Sequence, residues 1–184
     1  MFSMTIIMHL LILISGILFT TEPIYQTDSG RVEFRSEAPL ELIRASSREL
    51  RGALNTDKNE FAFSVSMNSF EGFNSPLQQE HFRENYLETG LYPVATFTGK
   101  IIDEVPFDRP GSYPVRTKGN FTVHGVVQER IIKGILVVEE NSISIRSEFD
   151  VRLVDHDIRV PKIVRQKIAE SIRVSLNCQL TPRA

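Results

Sequence analysis

The stretch Ser112–Val138, SYPVRTKGNFTVHGVVQERIIKGILVV, decides the fold. It contains two runs rich in Val, Ile, Thr and Phe, residue types that fit a pleated, half-buried surface, interrupted once by His124-Gly125. Gly125 supplies backbone angles that other residues avoid, so the dipeptide predicts a tight turn or bulge between two strands. The same pattern continues on either side. Phe61, Phe63, Val65 and Met67 alternate with small or polar residues in EFAFSVSM. Ile143, Ile145, Phe149, Val151 and Leu153 do so in SISIRSEFDVRLV, where Ser147 fills the gap. Ile172, Val174, Leu176, Cys178 and Leu180 repeat it near the C-terminus. Alternation of this kind puts every second side chain on one face of a strand.

Clusters of Asp, Asn, Glu, Pro and Gly at 55–59, 103–111 and 139–142 mark turns. With Val94–Ile102 added, the runs predict about eight strands on short connections, an antiparallel meander, since parallel strands would need helical crossovers. Such a meander buries its apolar face either as a two-sheet sandwich or by closing into a barrel. One short helix interrupts it. Ser75 can cap, Pro76 fits the first helical position and Gln78 completes a capping box, with the helix running to about Leu87 before Tyr92-Pro93. The segment 161–170 fits a short helix or an extended loop. Across 40–54 the spacing of Arg44, Arg48 and Arg51 is helical, whereas Leu40 and Leu42 alternate.

A length of 184 residues suits one domain, here residues 25–181. Lys+Arg 21 against Asp+Glu 23 leaves a net charge of −2, which argues against a nucleic-acid partner. Hydrophobic residues make up 41%, enough to bury a core and too many for a disordered chain. The lone Cys178 excludes an intramolecular disulfide and a thiolate metal cluster. At the N-terminus, Thr5–Phe19 reads TIIMHLLILISGILF, then Thr20-Thr21-Glu22-Pro23 ends the apolar run. This length fits a secretory signal better than a membrane span, so residues 1–21 are expected to be a signal peptide, with a retained anchor as the other reading. The rest is expected to be periplasmic or secreted.

Catalytic and metal chemistry find little support. His81, His124 and His156 are not at ligand spacing, and the carboxylates beside them in Glu80-His81 and Asp155-His156-Asp157 would point to opposite faces of a strand. No G-x-S-x-G elbow and no glycine-rich phosphate loop occurs. Cys178, between Leu176 and Leu180, reads as a small buried hydrophobe. Arg44, Arg48, Arg51 and Arg83 either attract an anionic head group or form a solvated face with Glu41, Glu49 and Glu84. No catalytic residue, metal or cofactor is expected.

Three stretches carry a likeness to a known family: QEHFRENYLETGLYPVATFTGK at Gln79–Lys100, GSYPVRTKGNFTVHGV at Gly111–Val126, and FDVRLVDHDIRVP with IRVSL near the end. Together they resemble the YceI-like lipid-binding family, whose members carry a similar helix with a YP-A-F-G segment, a VHG or IHG turn and a closing strand of this type. The resemblance covers roughly Phe61–Leu180. It implies an all-β, lipocalin-like antiparallel β-barrel that holds an isoprenoid or similar lipid chain. It also implies that GRVEFRS, PLELIRASS and LRGAL are strands, which resolves the 40–54 ambiguity.

A polyprenyl tail is insoluble in water, so its carrier must bury it on all sides. Each buried methylene contributes roughly 0.8 kcal/mol, so ten carbons supply about 8 kcal/mol before ordering costs. Rings without polar handles suit such a wall, and Phe61, Phe63, Val65, Phe82, Phe97, Phe121 and Phe149 are the candidate lipid-binding residues. The expected partner is therefore an apolar lipid, with homodimerisation left open. On the other reading these rings pack on one another, and the protein is a non-catalytic interaction or scaffold domain with a filled core.

Overall fold

The computed structural model describes residues 24–183; the expected signal segment, residues 1–21, lies outside them. Its strands are β1 (Ile24–Glu37), β2 (Leu42–Asn55), β3 (Glu60–Ser66), β4 (Val94–Ile101), β5 (Gly111–Val123), β6 (Val126–Val138), β7 (Ile143–Arg152) and β8 (Ser171–Pro182). The β5–β6 hairpin turns on His124 (φ 52°) and Gly125 (φ 73°), the two left-handed residues that a tight primed turn demands. From Val123↔Val126 its ladder runs without a register shift to Gly111↔Val138. Each strand pairs with the next, and β8 pairs antiparallel with β1, so the sheet is a closed barrel and not a sandwich. Closure gives every strand a neighbour on both sides, so no strand stands at a free edge of the sheet.

Alternation sorts the two faces. Phe61 and Val65 of β3, Ala95 of β4 and Phe121 of β5 are buried inside. Outside, Glu60 pairs with Lys100 at 3.0 Å and Lys118 with Glu129 at 3.1 Å between neighbouring strands. The outer face of β6 also carries exposed Val127, Ile131 and Ile135 between its charged residues. Arg44, Arg48 and Arg51 also lie exposed on β2, which is a strand throughout.

The lower end of the barrel, at the turns 56–59, 102–110 and 139–142, is sealed. Leu54, Leu136, Ile143 and Leu180 are at most 2% exposed there. Higher up, β4 and β5 cross so closely that a Cβ on Gly99 would lie 2.2 Å from the Lys118 carbonyl oxygen, and one on Gly119 2.2 Å from that of Thr98. Only glycine fits at both places.

The upper end carries the two long connections, 67–93 and 153–170. Helix α1 (Pro76–His81) starts as expected, with Ser75 Oγ accepting from the Gln78 amide at 3.2 Å. The box closes one residue earlier than expected, since Gln78 Oε1 accepts from the Asn74 amide and not from Ser75. The helix then widens into a π-type turn over Phe82–Tyr86, so the helical path reaches Leu87 but not as regular α-helix. Within 161–170 only Lys162–Val164 forms a 3-10 turn. Asp155-His156-Asp157 is not strand, because Leu153–His156 is another 3-10 turn ended by Asp157 at φ 57°. The opposite-face argument for its carboxylates therefore does not apply.

Cys178 is buried on β8, and burial pushes its thiol up to about 12. A thiolate is the reactive species, so at neutral pH the folded thiol is inert. A thiol-labelling reagent should leave the native protein unmodified at pH 7 and label one cysteine after urea unfolding, as read by mass spectrometry.

Candidate functional site

A cavity of about 540 Å³ runs down the barrel from its upper end. This volume falls within the roughly 300–1,000 Å³ common for small-ligand pockets. All seven residues nominated from the sequence stand on its wall. Five of the rings form a continuous aromatic course: Phe61–Phe63 at 6.0 Å, Phe61–Phe97 at 4.9 Å, Phe97–Phe121 edge-on at 6.1 Å and Phe121–Phe149 edge-on at 5.7 Å. The sixth, Phe82, belongs to a second group near the mouth. There it stacks on Phe34 at 5.4 Å and meets Phe73 at 5.0 Å and Phe70 at 6.0 Å.

Phe34, Phe70 and Phe73 were not nominated from the sequence. Phe34 had a usable signal, since Val32, Phe34 and Ser36 alternate along β1 with Glu33 and Arg35 between them. Phe70 and Phe73 lie between β3 and α1, where no period marks an inward position.

The polar groups on the wall are few and mostly occupied by the fold itself. Ser36 Oγ accepts from the Ala169 amide at 2.9 Å. Thr117 Oγ1 donates to the Ile132 carbonyl at 2.9 Å, and Ser147 Oγ to that of Lys133 at 2.7 Å. A hydroxyl already bonded within the protein makes little demand on a ligand, so the wall offers hydrocarbon and ring faces. Charged or imidazole side chains on the wall are confined to Glu41, His81 and Lys167 at the mouth and Lys133 at the β6–β7 seam. Glu41 there accepts from Gln78 Nε2 at 2.8 Å. Arg83, nominated for a head group, instead donates to the Asn68 carbonyl at 2.9 Å, and neither it nor the three arginines of β2 lines the cavity. Among the described residues no group of three or more His, Cys, Asp or Glu could hold a metal ion.

Two histidines tie the upper end together. The Nδ1 of His124 donates to the His156 carbonyl at 3.0 Å, and its Nε2 lies 2.7 Å from the Glu88 carboxylate. Thus the turn histidine bonds to a distant backbone group and not within its own turn. It links the connection 67–93 to the connection 153–170. His156 is fully buried, donates from Nδ1 to the Val126 carbonyl at 3.2 Å and sets its ring edge-on to Phe121 at 5.4 Å. Its Nε2 has no partner, and burial holds its pKa below the ordinary value.

A family model for the YceI-like domain matches residues 25–180. The chain belongs to the YceI-like family. Solved structures agree on the fold of this YceI-like chain. A polyisoprenoid-binding domain from Saccharophagus degradans superposes with a TM-score of 0.73 at 15% identity, covering 89% of this chain and 100% of that one. BcnA of Burkholderia cenocepacia gives 0.66 at 10% identity, covering 82% and 95%. A YceI protein of Campylobacter jejuni gives 0.53 at 11% identity, covering 71% and 78%. No curated protein matches the chain at the sequence level.

Because the folded His156 binds its proton less readily than an unfolded histidine, its stabilising contribution is complete above the ordinary value of about 6.5 and is lost as pH falls below it. The thermal midpoint should therefore drop as pH is lowered from about 6.5, and the drop should be smaller in His156→Gln. Calorimetry across that range checks it.

Proposed function

We propose that this YceI-like protein is an exported, non-catalytic carrier that holds an isoprenoid or similar apolar chain inside its barrel. One observation carries the reading: about 540 Å³ of open interior walled by rings and aliphatic side chains, with its ionisable groups confined to the mouth and one seam. Water gains little from such a space, and a hydrocarbon chain gains about 0.8 kcal/mol for each methylene it hides. Among the described residues, the wall hydroxyls of Ser36, Ser75, Thr117 and Ser147 each bond a backbone group, whereas acyl or glycosyl chemistry would require a nucleophile bonded to a base. The likeness in fold to a structure described as polyisoprenoid-binding supports the choice of ligand class. A filled core, the alternative on which function would lie on the outer face, does not suit an interior of this size.

Organic extracts of the protein purified from its native host should contain a co-purifying long-chain lipid by mass spectrometry. Ala95 is buried and stands on the cavity wall, so Ala95→Trp fills the space that the ligand needs. Its uptake of a fluorescent prenyl probe should fall about tenfold or more, while circular dichroism retains the barrel signal. Unchanged uptake in the folded variant would sink the interior site. Export rests on the apolar run Thr5–Phe19, and N-terminal sequencing of the mature protein should find it starting after that run. Recovery of the intact N-terminus from the cytoplasm would overturn that part.

A further inference from the structure

The barrel wall is not uniform. β6 and β7 are joined by backbone pairing only from Gly134↔Ser147 to Val138↔Ile143. Above that point both strands continue, β6 back to Val126 and β7 on to Arg152, without pairing to each other. Side chains span the gap instead. Ser147 Oγ donates to the Lys133 carbonyl at 2.7 Å, Arg130 Nη2 to that of Asp150 at 2.7 Å, and Gln128 Nε2 to that of Asp155 at 2.8 Å. At the lower corner of this gap two small inward residues face each other, Gly134 and Ser147. Ser147 is also the position at which the apolar series of β7 lapses.

Outside the barrel, a polar groove crosses β1, β8, β7 and β6, with Arg31, Glu33, Arg146, Glu148 and Asn177 along it. Lys133, Gly134, Ser147 and Leu176 border both this groove and the interior cavity. Cavity and groove therefore lie on opposite faces of the same stretch of wall, one residue thick, at the lower corner of the gap. The barrel floor is closed, since Leu54, Leu136, Ile143 and Leu180 pack there with almost no exposure.

We propose that the gap between β6 and β7 is a side window through which the far end of a long apolar ligand leaves the barrel. The inference rests on the carrier reading and adds a specificity rule to it. A tunnel entered at the mouth and left through the wall accepts chains longer than its interior, whereas a blind pocket would select against them. Gly134 and Ser147 keep the window open because larger inward side chains at those positions would occupy it.

The test is a length series of prenyl alcohols, from two to eight isoprene units, titrated against the unaltered protein, Ser147→Leu and Ser147→Ala. The unaltered protein should bind the long members as well as the short ones. Ser147→Leu should weaken the long members by about tenfold or more and leave the shortest within about twofold, because a few methylenes lose their exit. Ser147→Ala, which removes the hydroxyl and keeps the opening, should match the unaltered protein. A second readout needs no substitution: the longest alcohol, carrying a nitroxide on the end remote from its hydroxyl, is loaded and exposed to ascorbate. Rapid reduction in the unaltered protein that slows in Ser147→Leu shows that the far end reaches water through the window. A shielded nitroxide, or the same length profile in Ser147→Leu and the unaltered protein, overturns the window while leaving the carrier intact. Failure of every prenyl alcohol to bind overturns both.

Discussion

Pairing of β8 with β1 governs the rest of the molecule, because it turns one face of a single sheet into an enclosed interior. An open sheet with this many inward Phe, Leu, Ile and Val side chains would have to cover them with a second layer. Among the described residues there is no second layer to offer: the one α-helix is six residues long, and the long connections lie over one end. Closure solves the problem by letting the inward face cover itself, and the outward face is then free to carry ion pairs such as Glu60–Lys100. Everything functional follows from how completely that inward face fills its own space. At the lower end it does so, around Leu54, Leu136, Ile143 and Leu180. Higher up, rings line the wall without filling the middle.

The upper connections hold that unfilled space in shape by polar means. Glu88, His124, His156 and Val126 form a chain of hydrogen bonds that runs from the helical connection through the β5–β6 turn to the connection before β8. Glu88 and His124 both adopt left-handed backbone angles, an arrangement that persists only where the surroundings over-determine it. The aromatic group of Phe34, Phe70, Phe73 and Phe82 seats α1 and its widened turn over the mouth.

Much of this was legible in the sequence, for a physical reason. A strand buried on one face announces it every second residue, and β3, β7 and β8 do so with few lapses. The turn at His124-Gly125 was legible because Gly125 interrupts two strand-like runs and takes a left-handed backbone at no steric cost. The cavity wall followed from the same alternation, which is why Phe61, Phe63, Val65, Phe97, Phe121 and Phe149 could be named before their contacts were known. What did not follow was anything set by irregular chain. Phe70 and Phe73 point inward because of tertiary packing and not because of a period. The burial of His156 depends on a 3-10 turn that local sequence does not distinguish from a strand end. Strand alternation also says nothing about where two neighbours stop pairing, so the parting of β6 from β7 left only one trace, the serine in an otherwise apolar series.

The position of Cys178 has a practical side. It is the chain's only cysteine and it faces inward on a strand paired on both sides. A cysteine introduced anywhere on the charged outer wall would thus be the sole accessible thiol of the folded protein. Fluorophores or spin probes could be attached there one at a time, with the native sulfur left in place, to follow the barrel as it fills and empties.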